Sequence, residues 1–214
     1  MIKSRLLGAV CACFIGLVPS LAQAAPLNLT LNDVPDIVSQ FIDVTYDSGL
    51  QALTASGFAL ELDDDGSVPA EPIAGGIFYL TATIDNAGNL VGGTGTITIG
   101  GTVASLGFNS GTLLTGTLTA FGFPNAGSDP FEFLFDVTGG DAAALYGGGS
   151  VPGGVILSGT GFGGDFTSDF DNLNIGPGTG IAVANVGTVP IPAALWLFGS
   201  GLLGLTGLAR RRDR

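Results

Sequence analysis

In this chain of 214 residues, with 18 acidic and 6 basic side chains and no histidine, the placement of charge excludes more than its total does. Lys3 and Arg5 stand near the start, Arg210, Arg211, Arg212 and Arg214 near the end, and every acid except Asp213 falls between them. Residues 25–189 therefore form a polyanion without one cation, which excludes nucleic-acid binding by phosphate neutralisation and argues against docking on anionic lipid headgroups. The same stretch has no His, Cys, Lys or Arg. Serine and cysteine triads, imidazole or thiolate zinc sites, Schiff-base lysines and phosphoryl clamps are excluded on inventory, and carboxylate chemistry alone survives.

At the N-terminus, a basic Met1–Arg5 is followed by an apolar run from Leu6 to Val18, a break at Pro19 and Ser20, and the small residues of Ala22-Gln23-Ala24. This is the pattern of a cleavable signal peptide over residues 1–24, cut after Ala24, and its apolar run is short for a membrane span. Cys11 and Cys13 lie inside it, so the exported chain is expected to have no disulfide. Its remaining ~165 residues suffice for one hydrophobic core.

Residues 25–175 read as one β-rich domain. Val34–Phe41 and Asp141–Tyr146 are expected to form short helices, with Asp33 and Asp141 as N-caps. Residues 76–84 alternate β-branched and aromatic side chains, Asp85-Asn86-Ala87-Gly88-Asn89 is turn-forming, and 90–99 follows as the second strand of a hairpin. Further strands are expected at 102–108, 112–123, 130–137 and 155–162, each bounded by Gly, Pro, Asn or Asp. The fold class expected is all-β, a single antiparallel β-sandwich or partly closed barrel. Gly176-Pro177-Gly178-Thr179-Gly180 opens an expected linker over 176–188.

Of the divalent cations this carboxylate inventory leaves open, calcium fits the loop spacing best. Glu61, Asp63 and Asp65 place oxygen ligands at alternate positions ahead of Gly66, although the last coordinating position of such a loop falls on Pro72, with Glu71 one residue early. Asp165, Asp169 and Asp171 form a second acidic group. A solvated acidic turn is the competing reading of both. Gly159-Thr160-Gly161-Phe162-Gly163-Gly164 matches a dinucleotide fingerprint in letters only, with no helix pattern after it and Asp165 set to repel a pyrophosphate. Asp47-Ser48-Gly49 has the form of an aspartic-protease loop without its second copy, and reads as a turn. Glu61, Glu71 and Glu132 are the only glutamates, and their spacing marks no catalytic pair. No catalytic residue and no organic cofactor are expected.

The tail runs Val189-Pro190-Ile191-Pro192, then an uncharged 193–209, then Arg210-Arg211-Arg212. At ~1.5 Å per residue, 193–209 reaches about 25 Å as a helix, just under the ~30 Å hydrocarbon core. Trp196 falls at the outer interface, and the arginines hold the far end on the cytoplasmic side, in agreement with the signal peptide. Gly199, Gly201 and Gly204 lie within this stretch, and Ser200 with Gly204 gives the spacing that lets helices approach closely. Residues 189–214 resemble a PEP-CTERM sorting signal, with Ile191 where that family usually carries Glu. The resemblance implies recognition by an exosortase, cleavage near the proline motif, and display or release at the surface of a Gram-negative cell after transient residence in the inner membrane and periplasm. It also implies an association with exopolysaccharide and biofilm.

Three functions follow as expectations. The first is a non-catalytic surface or matrix protein processed by an exosortase-like enzyme. The second is a glycan- or ligand-binding β-domain on a plain single-span anchor, with Phe121, Phe123, Phe131 and Tyr146 as stacking surfaces. The third is a carboxylate-only glycoside hydrolase.

Overall fold

Strand β1 (Asp36–Asp47) sets the pattern of the molecule by burying Ile37, Ser39, Ile42, Val44 and Tyr46 on one face. Alternation by two is what a strand with one face on a core requires. It slips once, at Gln40 and Phe41, where the register to both neighbouring strands shifts and Phe41 takes a φ of 54°. This bulge turns the Phe41 side chain outward. Gly57 on the adjoining strand makes room for it, since a Cβ there would lie 2.7 Å from Ile42 Cγ1.

The structure, a computed structural model, describes residues 25–124 and 129–190. After β1 come β2 (Ala52–Asp63), β3 (Glu71–Pro72), β4 (Ala74–Thr83), β5 (Thr96–Val103), β6 (Phe108–Gly122), β7 (Phe131–Gly139), β8 (Gly153–Ser158), β9 (Phe170–Asp171) and β10 (Ala182–Thr188). The ring runs β1–β2–β4–β5–β6–β7–β8–β10 and back to β1, antiparallel at every step. The fold is all-β, a closed eight-stranded barrel, with β3 and β9 as two-residue additions. Closure leaves no free strand edge in the ring.

The lumen is filled with side chains. Phe131, Phe133 and Phe135 of β7 are fully buried, with Phe121 and Phe133 at 4.8 Å between ring centroids. The ring of Phe135 lies against Gly153, where a Cβ would come within 2.2 Å of it. Residues 159–181 close one end of the barrel. Their Phe162 and Phe166 pack at 4.6 Å and join Phe121, Phe123 and Phe131 in offset and edge-on contacts. Tyr146 closes the other end, fully buried, with its hydroxyl donating to the Val186 carbonyl at 2.7 Å.

Several expectations are corrected. The helix expected at Val34–Phe41 is the start of β1, because hydrogen-bonding partners on both sides override a local pattern that fits either period. Asp141–Tyr146 is a series of turns leading to a 3₁₀ turn at Gly147–Gly149. The Asp141 carboxylate takes the Ser110 amide at 2.8 Å instead of capping a helix. Residues 102–108 are the end of β5, a 3₁₀ turn at Ala104–Leu106 and the first residue of β6. Residues 182–188, expected as linker, are β10, paired to β8 and β1. Only 176–180 is turn, and Asp43 on β1 accepts the Gly178 and Gly180 amides. The barrel thus runs directly into Val189. The signal segment with Ala22 and Ala24, and the tail from Ile191 with Pro192, Trp196, Gly199, Gly201, Gly204, Arg210, Arg211 and Arg212, lie outside the described residues. No helix among the described residues is long and apolar enough to cross a membrane.

Candidate functional site

In a domain without cations, a carboxylate has only neutral donors to bind, and the loops use backbone N–H groups. Asp63 Oδ1 accepts Gly66 N at 2.7 Å and Asp65 N at 3.3 Å, and Asp65 Oδ1 accepts Ser67 N at 2.8 Å. These two expected calcium ligands are therefore turn formers, each engaged through one oxygen. Glu61 stands on β2 beside Pro72 of β3. In the second acidic group, Asp169 takes both the amide and the hydroxyl of Ser48, and Asp165 takes the amide and hydroxyl of Thr167. Those hydrogen bonds hold both carboxyls below the ordinary value. Asp171 caps Leu173, while Asn172 is buried and links Val44, Ile42 and Gly159. Among the described residues no group of three or more His, Cys, Asp or Glu side chains is placed to hold a metal ion.

Asp36 departs from this rule. It pairs across strands with Asp63, its Oδ1 is buried without a partner, and burial together with the neighbouring Asp63 charge raises its pKa from 3.8 to about 6. Tyr146 lies near enough to feel the Asp36 charge, and burial first, then that charge, pushes its phenol well above the ordinary value. Two facing carboxyls, one of them raised, are the ingredients of acid–base chemistry. Here the cause is the closed end of a barrel.

The aromatics proposed from sequence as stacking surfaces are core. Phe121, Phe123, Phe131 and Tyr146 all face the lumen or its plugs. The exposed aromatics stand elsewhere, on the outer wall. Phe41 of the β1 bulge is 58% exposed, Phe58 of β2 56% and Tyr79 of β4 44%. They occupy three consecutive strands of the ring at similar height, as the pairs Gln40↔Phe58 and Ser56↔Tyr79 show. Val183 on β10 and Ile77 on β4, both exposed, extend the apolar area to either side. Sequence alternation alone would turn Phe58 and Tyr79 outward; the bulge that exposes Phe41 has no local signature.

The opposite wall is covered by residues 25–32, a ribbon outside the ring in which Asn28 takes a φ of 53°. Leu27, Leu29 and Leu31 are half-buried against the wall, while Asn28, Thr30 and Asn32 are exposed. The ribbon crosses β6, β7, β8 and β10 over glycines. A Cβ at Gly122 would lie 2.5 Å from the Ala25 carbonyl oxygen, one at Gly154 2.6 Å from Leu31, and one at Gly187 3.2 Å from Leu31. Between them Glu132 points outward from β7 yet is only 7% exposed. Its carboxylate accepts Asn28 N at 2.8 Å and Leu29 N at 3.0 Å. The ribbon ends where Asn32 donates to the Thr188 carbonyl and hydroxyl. Val189 and Pro190, the first half of the proline motif, lie beside it, with Val189 N donating to the Pro152 carbonyl at 3.0 Å. A cleft of about 390 Å³ opens between Leu27–Thr30 and Val189–Pro190. Glu132 was legible as an outward residue between Phe131 and Phe133. The ribbon over it was not, since nothing local assigns a partner to Leu27, Leu29 and Leu31.

Comparison of the chain with protein-family models, with curated proteins and with solved structures found no match.

Proposed function

We propose that this chain is an exported, non-catalytic surface or matrix-associated protein of a Gram-negative cell, processed at Val189-Pro190-Ile191-Pro192 by an exosortase-like enzyme. The observation that supports the reading is the position of Val189 and Pro190, the first half of the motif. β10 ends at Thr188, and the motif begins at the next residue, on the outer wall of the barrel. A folded barrel therefore presents its C-terminal exit at its surface, as substrate for an enzyme acting on the segment that follows. The acid-only domain agrees with a position away from anionic headgroups, and the arginine-terminated tail with an outward-facing barrel. Intact-mass measurement of protein recovered from the cell surface or medium tests this. The expected form starts near Ala25 and ends near the proline motif. A surface form that retains Trp196 through Arg214 refutes processing and leaves a plain anchor.

The exposed row Phe41, Phe58 and Tyr79 favours a second reading, a glycan-binding barrel. Aromatic rings stack on sugar faces without needing charge, and the acid-only domain disfavours anionic glycans, which leaves neutral ones as the class to test. Retention on an uncharged polysaccharide matrix that disappears in the F41S/F58S variant supports this reading. Equal retention of variant and parent ends it.

A further inference from the structure

The chain leaves the barrel beneath its own N-terminal ribbon. β10 ends at Thr188, and the ribbon is tied to that residue twice. Asn32 N donates to the Thr188 carbonyl at 2.9 Å and Asn32 Nδ2 to the Thr188 hydroxyl at 2.8 Å, and Thr188 is only 6% exposed. One residue on, the Val189 side chain shares a seat with two ribbon leucines. A Cβ on Gly154 would lie 2.6 Å from Leu31 Cδ2, 2.8 Å from Val189 Cγ2 and 3.4 Å from Leu29 Cδ1. All three side chains therefore converge on one bare spot of β8. Val189 is half-buried there, and Pro190 is the first residue of the exit to stand exposed.

An enzyme that cuts a chain must draw an extended segment of it into its cleft, free of other partners. Thr188 and Val189 do not meet that condition while the ribbon is down. The ribbon itself is held lightly. The ring closes through its own eight strands, so lifting the ribbon breaks no ladder. Glu132, on the outer face, regains water when the Asn28 and Leu29 amides leave it. What remains to hold the ribbon are three half-buried leucines and a few hydrogen bonds, so it opens far more often than the barrel unfolds. We propose that residues 25–32 are a strap over the C-terminal exit: docked, the strap holds Thr188 and Val189 on the wall, and its local lifting sets how often that segment can be cut. Cutting then follows the open population of the strap, because a segment this short opens and closes quickly. That the enzyme kept out is exosortase-like rests on the function proposed above; the strap rests on the contacts between residues 29–32 and 188–189.

The variant L29S/L31S removes the two leucines that meet Val189 and leaves the ring intact, which cooperative melting checks. Purified full-length chain in mild detergent is digested briefly with a low-specificity protease, and the cuts are mapped by mass. Cutting between Thr188 and Pro190 is expected to be about ten-fold faster in L29S/L31S than in the parent, the change in open population that losing two half-buried leucines produces. I99A, a core variant in β5 across the ring, lowers general stability without touching the strap and should cut there at the parental rate. In the cell, pulse-labelling should show L29S/L31S converted to its processed form correspondingly faster. Equal cutting of parent and L29S/L31S at this segment, or acceleration by I99A to the same extent, overturns the strap. Strap-dependent digestion of a chain that the cell never processes upholds the strap and refutes the enzyme assigned to it.

Discussion

Replacing Asp36 by Asn removes the charge that this barrel accommodates least well. Asp36 has a folded pKa of about 6 against 3.8 for the free group, from burial and from the facing Asp63. An acid whose pKa is raised by folding binds its proton more tightly in the native state. The stability that goes with protonation is complete below 3.8 and is lost as pH rises through about 6. The difference between those values corresponds to a ceiling of about 3 kcal/mol. Asp36 is only half-buried, and solvent screening brings the expected figure to about 1 kcal/mol. D36N keeps an acceptor for the Val186 amide and carries no charge. It should therefore raise Tm by about 2–4 °C at pH 8, the response expected of a chain this size to that free energy. At pH 4, where the parent side chain is largely neutral, the two proteins should melt together. Thermal denaturation followed by circular dichroism, in matched buffers from pH 4 to 8, reads this difference directly. Subtracting the parent removes the general relief of acidic repulsion, which also favours low pH. A variant that is less stable at pH 8, or whose advantage is the same at every pH, refutes the reasoning.

Removing the Glu132 carboxylate with E132A should cost about 1–3 kcal/mol; hydrogen exchange should quicken at the Asn28 and Leu29 amides while those of β5 and β7 stay protected, and uniform loss of protection would count against a ribbon that lifts independently. G153A drives a Cβ into the Phe135 ring and should cost about 1–3 kcal/mol, with F135L recovering part of the loss; additive melting shifts in the double variant would contradict that contact. For the calcium reading of Glu61, Asp63 and Asp65, millimolar calcium is expected to raise Tm, and D63N/D65N to abolish the rise. Superimposable curves in calcium and in chelator dismiss the site, and an equal rise in the variant assigns it to general charge screening.

The strands that sequence reveals are those where alternation and punctuation coincide. Residues 76–84 and 130–137 alternate cleanly and lie between turn formers, and they are β4 and β7. The misses have specific causes. β1 reads as helix in the sequence because its bulge at Gln40–Phe41 inserts a residue and makes the apolar spacing look helical. β10 reads as linker in the sequence because Ala182, Ala184 and Gly187 are small, and packed between β8 and β1 they need little volume. Barrel closure itself depends on the pairing of β1 with β10, more than a hundred residues apart, which no local pattern encodes. The same long-range character hid the ribbon. Glu132 lies over a hundred residues from the amides it holds.

The acidic residues were legible in position but not in purpose. Aspartates clustered among glycines invite a metal, because ligand loops and turns draw on the same residue types. Here the lack of Lys and Arg decides what most of them do. Asp43, Asp47, Asp63, Asp85, Asp129, Asp165, Asp169 and Asp171 each accept at least one backbone N–H in a loop, and Asp141 accepts that of Ser110 in β6. Glu132 extends the same device to the ribbon. Ion pairs would have tied side chain to side chain; amide acceptors tie side chain to backbone, and so fix the course of long glycine-rich connections that have little apolar material of their own. This arrangement also explains why Asp36 stands out. Its Oδ1 is buried without a donor, and burial together with the facing Asp63 charge raises its pKa toward neutral pH despite the Val186 amide.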